Sequence, residues 1–566
     1  MKIETFFENF ELLTDAPNAV AKLREVVLQL AVQGKLIPQH FNDEPASVLL
    51  EKIKIQKEKS NFRKSKLSME LPELDSQQIP YEVPSNWQWV RLGNVGQIVG
   101  GGTPNTAHAD YYSDNEIPWL TPADLYNLKG KIVFKGKRDI SLLGLNKSSA
   151  QIMPKGTVIF SSRAPIGYVA IAGNDLATNQ GFKSCVPHIH ETNEYIYYFL
   201  KSSAKQIDNK ASGTTFKEIS GREFSLIPVP LPPLAEQKRI VEKCDRLLSV
   251  CNQIEVRQQQ KQESIVRMNE SAIAQLLSSQ NPDKFSQHWQ RICDNFDLLY
   301  CIPETIPKLQ QAILQLALQG KLVCQNLDDQ HVEKLFKEIQ ELKEALIQSG
   351  KIQKDKSFSP VTKTLPPWQI PQSWKWVRLQ DIFEISRGGS PRPSGDPKYF
   401  GGDIPWITVN EITKDTERYL ISTKYGLTEV GSTKSRFIYP EDLLLTNSGA
   451  TLGVPKISKI QGCINDGVAR LNCFHEGIYK EYAYYYLLQQ TLAFRQVNQG
   501  MGQPNLNTSI LAGWYFPLPP LAEQKRIVAK VDRLMSICDT LEAKLKEAQS
   551  HSEKLMEVAA KQILIA

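Results

Sequence analysis

The side chains best suited to metal or nucleophilic chemistry are eight histidines and nine cysteines, and their spacing supports neither. His40, His108, His188, His190, His288, His331, His475 and His551 are scattered, and His188-x-His190 has no acidic or cysteine partner at ligand spacing. Cys185, Cys244, Cys251, Cys293, Cys301, Cys324, Cys463, Cys473 and Cys538 contain no Cys-x-x-Cys pair. An odd, dispersed set fits reduced thiols rather than a disulfide frame. Val32-Gln33-Gly34-Lys35-Leu36 lacks the first glycine and the hydroxyl of a phosphate loop. Gly100-Gly101-Gly102 and Gly388-Gly389 each meet a proline one residue later, which suits a turn better than a nucleotide cradle. Leu365-Pro366-Pro367-Trp368 lacks the amide or acid of an amino-methyltransferase motif, and Pro282-Asp283 is not a convincing nuclease core. What remains is binding chemistry, in a chain expected to be no enzyme by itself.

The elements that must position such chemistry occur twice. Leu231 to Val241 reads Leu-Pro-Pro-Leu-Ala-Glu-Gln-Lys-Arg-Ile-Val, and Leu518 to Val528 repeats it without a change. Two prolines suit an extended approach and a first helical turn, and Ala-Glu-Gln-Lys-Arg then favours helix. Asn9 to Leu13 is echoed by Asn295 to Leu299, and Leu28 to Leu36 by Leu314 to Leu322. Each of the latter ends an amphipathic helix on a glycine, Gly34 or Gly320, able to take positive φ. Pro84 to Leu92 and Pro371 to Leu379 share a Trp-x-Trp-Val-x-Leu alternation that predicts a strand with one buried face. Runs such as Thr157 to Phe160 and Asp442 to Leu445 predict buried strands, and Tyr195 to Leu200 and Tyr482 to Leu488 predict helix. Loops do not match: Asn105 to Asn115 bears little relation to Arg392 to Gly402. Two equivalent frames therefore present unlike surfaces.

After each twice-stated phrase the spacing predicts a long helix with a coiled-coil seam. It runs through Ile240, Cys244, Leu247, Cys251, Ile254, Ile265, Met268 and Ala272, interrupted by Gln258 and Lys261. In the second half it runs through Ile527, Val531, Leu534, Cys538, Leu541, Leu545, Ala548, Leu555 and Ala559, with Ser552 as its polar exception. The expected fold is α+β: two mixed α/β domains joined and spaced by long antiparallel coiled-coil helices, in a pseudo-two-fold internal repeat. The segments are 1–75, an N-terminal helix and basic linker; 76–233, the first α/β domain; 234–285, a central spacer helix; 286–364, the repeated helix and linker; 365–520, the second α/β domain; and 521–566, a C-terminal spacer helix.

At 566 residues the chain exceeds one core, and a net charge of +6 permits local basic surfaces without implying a histone-like tail. Lys52, Lys54, Lys57, Lys59, Arg63, Lys64 and Lys66 outnumber Glu51 and Glu58 in the first linker, which reads as a solvated face, with phosphate contact as the alternative. No stretch approaches the roughly 18 apolar residues of a membrane span, and Met1 to Phe10 lacks the pattern of a signal peptide. A cytoplasmic protein without membrane contact is expected.

The two Leu-Pro-Pro-Leu-Ala-Glu-Gln-Lys-Arg-Ile-Val phrases, together with Gln-Gly-Lys-Leu at 33–36 and 319–322, resemble the specificity (S) subunit of type I restriction–modification systems over nearly the whole chain. The resemblance implies two target-recognition domains, each reading one half of a split, asymmetric sequence in double-stranded DNA, with paired helices setting the gap. It implies docking of two methyltransferase (M) subunits, and of motor-nuclease (R) subunits through them. S-adenosylmethionine, ATP and Mg would sit on those partners, and this chain would bind no cofactor. Bases are read by polar and cationic side chains at their edges. The candidates are Ser161, Ser162, Arg163, Thr214, Thr215 and Lys217 in the first domain. In the second they are Arg387, Arg392, Lys398, Asn447, Gln503, Asn505 and Asn507. Partner docking falls to Glu236, Gln237, Lys238 and Arg239 and their copies Glu523, Gln524, Lys525 and Arg526, read as surface residues that packing does not require. The alternative is a non-catalytic tandem-repeat adaptor that binds proteins through its variable loops.

Overall fold

The structure is a computed structural model that describes residues 14–59, 71–163, 165–211, 217–326, 328–352, 367–449, 451–496 and 506–565. The larger helices are α1 (Ala19–Val32), α2 (Ala46–Lys59), α3 (Asn193–Lys210), α4 (Leu234–Ser278), α5 (Ile306–Leu318), α6 (Val332–Gln348), α7 (Lys480–Gln496) and α8 (Leu521–Ile565). The chain divides into two units, one of residues 1–261 with 548–566 and one of 262–547, so α4 and α8 each belong partly to both. The boundary drawn at 285/286 from sequence falls inside a separate helix, Pro282–Asp294, which Asn281 caps through its side chain.

The first unit contains strands β1 (Gln88–Arg91), β2 (Gly96–Gly100), β3 (Tyr112–Ser113), β4 (Ile117–Leu120), β5 (Ile132–Val133), β6 (Arg138–Ile140), β7 (Val158–Phe160), β8 (Val169–Ala172), β9 (Ala177–Thr178), β10 (Lys183–Pro187) and β11 (Pro228–Leu231). They form a five-stranded sheet ordered β2-β10-β7-β8-β5, a four-stranded sheet ordered β3-β6-β4-β9, and the ribbon β1-β11. In that ribbon Gln88 pairs with Leu231, so the domain's opening and closing phrases zip together at the root of α4. The β7 run Val-Ile-Phe is fully buried, as its uninterrupted apolar character predicts. Tyr195 on α3 donates its hydroxyl to the Pro230 carbonyl at 2.5 Å and fixes α3 against the ribbon.

The second unit repeats this with β12 (Lys375–Arg378), β13 (Phe383–Arg387), β14 (Phe400–Ile407), β15 (Tyr419–Leu420), β16 (Tyr425–Leu427), β17 (Arg436–Ile438), β18 (Leu443–Thr446), β19 (Pro455–Ser458), β20 (Gly462–Ile464), β21 (Val468–Cys473) and β22 (Tyr515–Leu518). The five-stranded order β13-β21-β18-β19-β15 is strand for strand that of the first unit, and β12-β22 is the matching ribbon. Tyr482 donates to the Pro517 carbonyl at 3.0 Å, in the same role as Tyr195. The smaller sheet differs: its order is β16-β14-β20-β17. Divergence is thus concentrated in the sheet farther along the chain from the helix roots.

A polar knot helps to tie each sheet domain to its long helix. In the first unit the Lys131 ammonium reaches Glu194 at 2.8 Å and Asp245 of α4 at 2.9 Å, and Tyr198 donates to Asp245. In the second unit Arg418 and Tyr485 both donate to Asp532 of α8. Arginine, with its planar fork, replaces lysine at the same place.

The helix seams are real but drift by one residue. Ile240, Cys244, Cys251 and Ile265 are buried, whereas Met268 is 42% exposed and Asn269 beside it is wholly buried. Asn269 points inward because its amide donates to the Leu299 carbonyl at 3.2 Å, a bond methionine could not make. Likewise Leu555 is exposed and Met556 buried. A 3.6-residue turn does not hold a strict heptad over this length. In the first unit Cys251 and Ile254 of α4 share an apolar cluster with Met556, Ala559, Ala560 and Ile563 of α8 and with α1. In the second unit Ala272, Leu276 and Leu277 share one with Leu534, Cys538 and Leu541. Residues that rise along α4 therefore meet residues that fall along α8, which makes the pair antiparallel. Gln258 and Lys261 interrupt the seam to serve the first unit's start, donating to the Thr14 carbonyl and pairing with Asp15 at 3.5 Å. Among the described residues no helix is long and apolar enough to cross a membrane.

Candidate nucleic-acid interface and the clasp at the helix roots

The twice-stated phrase owes its identity to a clasp. Gly34 and Gly320 take φ of +74° and +68°, turning the chain out of α1 and α5. The turned segments carry Gln39 and Asp43 in one half and Gln325 and Asp329 in the other. Arg239 makes a two-point contact with Asp43 at 2.5 and 3.2 Å, and Arg526 makes the same contact with Asp329 at 2.7 and 3.0 Å. The Glu236 carboxylate accepts from the Gln39 amide at 2.7 Å and from Asn86 at 3.4 Å; Glu523 accepts from Gln325 at 2.6 Å. Gln237 and Gln524 each donate to the carbonyl five residues back, at Pro232 and Pro519, both at 2.9 Å.

This corrects the expectation that the whole Glu-Gln-Lys-Arg quartet is surface. Glu236, Gln237, Glu523 and Gln524 are at most 1% exposed, and packing does require them. Arg239 and Arg526 are held by their own chain, while Lys238 and Lys525 are exposed. Burial pushes the Glu236 and Glu523 carboxyls above their usual value, against the hydrogen bonds of Gln39 and Gln325. The Arg239 hydrogen bond holds the Asp43 carboxyl below its usual value, the opposite sense.

The base-reading candidates fare unevenly. Ser161 and Ser162 follow β7 and are fully buried. The Ser161 hydroxyl donates to the Pro165 carbonyl at 2.8 Å and accepts from the Tyr168 N–H at 2.8 Å, so it shapes the turn and cannot reach a base edge as it stands. Arg163, one residue on, is half-buried and lies 3.9 Å from Glu218, which Lys183 holds at 2.9 Å. Lys217 is exposed beside them. Thr214 and Thr215 lie outside the described residues.

In the second domain Asn447, whose N–H donates to the Gly467 carbonyl as that of Ser162 donates to the Gly181 carbonyl, is also fully buried, and neither of its side-chain polar atoms has a hydrogen-bond partner. Arg387 is exposed and donates to the Asp466 carbonyl at 2.6 Å; Arg392 is exposed, 4.0 Å from the Asp466 carboxylate. Lys398 is exposed, its ammonium 5.5 Å from the centre of the Tyr399 ring. Asn507 is exposed but caps the short helix Thr508–Gly513 through its side chain. Gln503 and Asn505 lie outside the described residues. Sequence reasoning missed Lys183 and Arg436; the latter donates to the Arg387 carbonyl at 3.1 Å and joins the same cationic group. The basic-polar run Thr433-Lys434-Ser435-Arg436 entering an apolar strand was the available signal. The exposed pair of Arg392 with Asp466 contributes little stability. Among the described residues no group of three or more His, Cys, Asp and Glu could hold a metal ion.

The model of the type I restriction modification DNA specificity domain matches residues 84–263 and 371–548, together more than half of the chain. The chain belongs to this family. Each match begins at the proline that opens a β1-type ribbon and runs through most of the following long helix. Among curated proteins, the specificity subunit of the type I restriction enzyme EcoAI from Escherichia coli is 28% identical over 564 residues, covering 94% of this chain and 91% of the relative. That of EcoEI, also from Escherichia coli, is 28% identical over 555 residues, with the same coverage. A chain from a solved structure concerned with complex assembly and conformational transition of the type I R-M system covers 86% of this chain and 99% of its own length, at 19% identity and a TM-score of 0.47.

Proposed function

We propose that this chain is the non-catalytic specificity subunit of a type I restriction–modification complex, in which each sheet domain reads one half of a bipartite, asymmetric DNA site. The observation that carries this reading is the pairing of an identical five-stranded order and ribbon in both units with cationic groups of unlike composition at the strand ends. A split site with unequal halves requires two such readers on one frame. Methyltransferase subunits dock near the helix roots, and motor-nuclease subunits join through them; S-adenosylmethionine, ATP and Mg belong to those partners. The complex acts on DNA in the cytoplasm. Sequencing adenine methylation in cells with and without this gene tests the reading: a split motif that vanishes with the gene supports it, and an unchanged methylome overturns it.

Replacing Arg163 or Arg392 by Ala should weaken binding of the assembled complex to the cognate site by about 1–3 kcal/mol where the side chain meets a base, with relaxed specificity in one half only. Equal losses on cognate and scrambled duplexes, measured by fluorescence anisotropy, would make the contact one to phosphate.

Docking narrows to Lys238 and Lys525, the exposed members of the clasped phrase. Lys238→Glu with Lys525→Glu should leave the thermal midpoint of the isolated chain unchanged and lower methyltransferase co-purification. Full co-assembly by size-exclusion chromatography would confine the phrase to its structural role.

A further inference from the structure

The second sheet domain holds a cavity of about 710 Å³ beside its four-stranded sheet. Three aromatic rings, of Phe400, Trp406 and Tyr425, line it. Trp406 on β14 pairs directly with Tyr425 on β16, which sets their side chains on one face, and the Phe400 ring stands 6.2 Å from Trp406 at 75°. Trp406 is buried and Tyr425 is 58% exposed, so the cavity has a closed end and an open lip. Gly401, at φ +92°, has open space where a side chain would stand, whereas Gly426 is required by its own fold, since a Cβ there would strike the Gly402 carbonyl at 2.0 Å. Gly401 thus leaves its backbone unobstructed on this wall.

Polar groups are few and placed. Asn465 lines the cavity, its unpartnered Oδ1 itself buried behind that wall, and the buried Glu411 accepts from the Lys424 N–H at 3.2 Å and the Lys414 ammonium at 2.9 Å. A buried oxygen left without a donor is uncommon and calls for an explanation. One cation stands at the lip: the Lys424 ammonium lies 5.2 Å from the centre of the Tyr425 ring. Arg387 and Arg392 gather on Asp466, the residue after Asn465.

The first domain resolves the same place differently. There Trp119 pairs with Arg138, whose guanidinium lies 3.7 Å from the centre of the Tyr112 ring. That domain supplies its own flat stacking partner; the second offers aromatic walls to one from elsewhere.

Flat aromatic groups along the wall and the Lys424 ammonium at the lip match a nucleotide, with the heterocycle inside and a phosphate at the rim. We infer that this cavity receives a nucleobase swung out of the DNA half-site bound by the second domain. The inference rests on the proposed reading of DNA. It gives the second domain a recognition element that works by capturing a displaced base rather than by contacting a paired edge.

The test uses the specificity subunit assembled with its methyltransferase on cognate duplexes carrying 2-aminopurine at each position of that half-site in turn. One position should brighten on binding, and Tyr425→Ala and Ser394→Trp, the latter at an exposed lining residue, should each abolish the rise while circular dichroism shows a folded chain. Cognate binding with no brightening position, or brightening that persists in both folded variants, overturns the cavity assignment and leaves the DNA reading intact. No binding of any cognate duplex would instead sink the DNA reading itself. Adenosine, guanosine, cytidine and thymidine are added separately to the DNA-free chain. A thermal-midpoint rise that both variants lose, without brightening on DNA, would assign the cavity to a soluble nucleoside and overturn the displaced base.

Discussion

Inserting one heptad into α4 at the 261/262 division, with a matching heptad in α8 at 547/548, should lengthen the unmethylated gap between half-sites by about three base pairs while leaving both halves unchanged. Seven helical residues add about 10.5 Å at 1.5 Å per residue, and B-DNA rises about 3.4 Å per base pair along one strand. A whole heptad returns the seam nearly to its starting face, so the apolar clusters on either side can persist. Both helices must be lengthened because α4 and α8 pack in opposite directions and share clusters in each unit. Methylation mapping in cells carrying the lengthened chain reads the result directly. The old gap with full activity would show that the helices do not set it, and loss of one half-site would show damage to one sheet domain.

Cutting the clasp should cost about 1.5–3 kcal/mol in the affected unit, the range for a hydrogen bond to a charged group, since each arginine is bound at two points. Arg239→Ala leaves Asp43, whose side chain is only 10% exposed, without its cation. The effect should depend on pH. Arg239 holds the Asp43 carboxyl below its ordinary 3.8, so the pair's contribution is complete above 3.8 and fades as pH falls through the depressed value. Urea midpoints of the parent chain and Arg239→Ala should therefore differ most near neutrality and converge in acid. Arg526→Ala should produce a comparable loss in the second unit near neutrality. A constant gap between the Arg239→Ala and parent curves through the acid range would show that Asp43 is not the partner that matters.

The clasp also shows what the sequence could and could not yield. The duplicated phrase, the glycine-ended helices, the Trp-x-Trp-Val strands and the long helices were legible because each pattern is local and stated twice. The partners of the phrase were not, because Asp43 lies 196 residues from Arg239. Identical polar residues in both halves fitted an external partner as well as an internal one, and only burial separates Glu236 from Lys238. Met268 and Asn269 show the same limit at the scale of one residue. Apolar spacing favoured methionine for the seam, and a carbonyl on another element, Leu299, selected asparagine instead. Base readers were hardest of all, since the loops that differ between the halves offer no internal comparison. Ser162 and Asn447 occupy equivalent places after a buried strand, their N–H groups donating to the Gly181 and Gly467 carbonyls, and the structure buries both.

The division of α8 between the units sets an order of events. Met556, Ala559, Ala560 and Ile563 complete the cluster that covers Val20, Leu23 and Val26 of α1. Those first residues leave the ribosome more than five hundred positions ahead of the last, a wait of roughly half a minute to two minutes at about 5–20 residues per second. Throughout that interval the outer face of α1 stays uncovered by its final partner. A chain cut short before α8 would lack that cover over the Val20, Leu23 and Val26 face of α1.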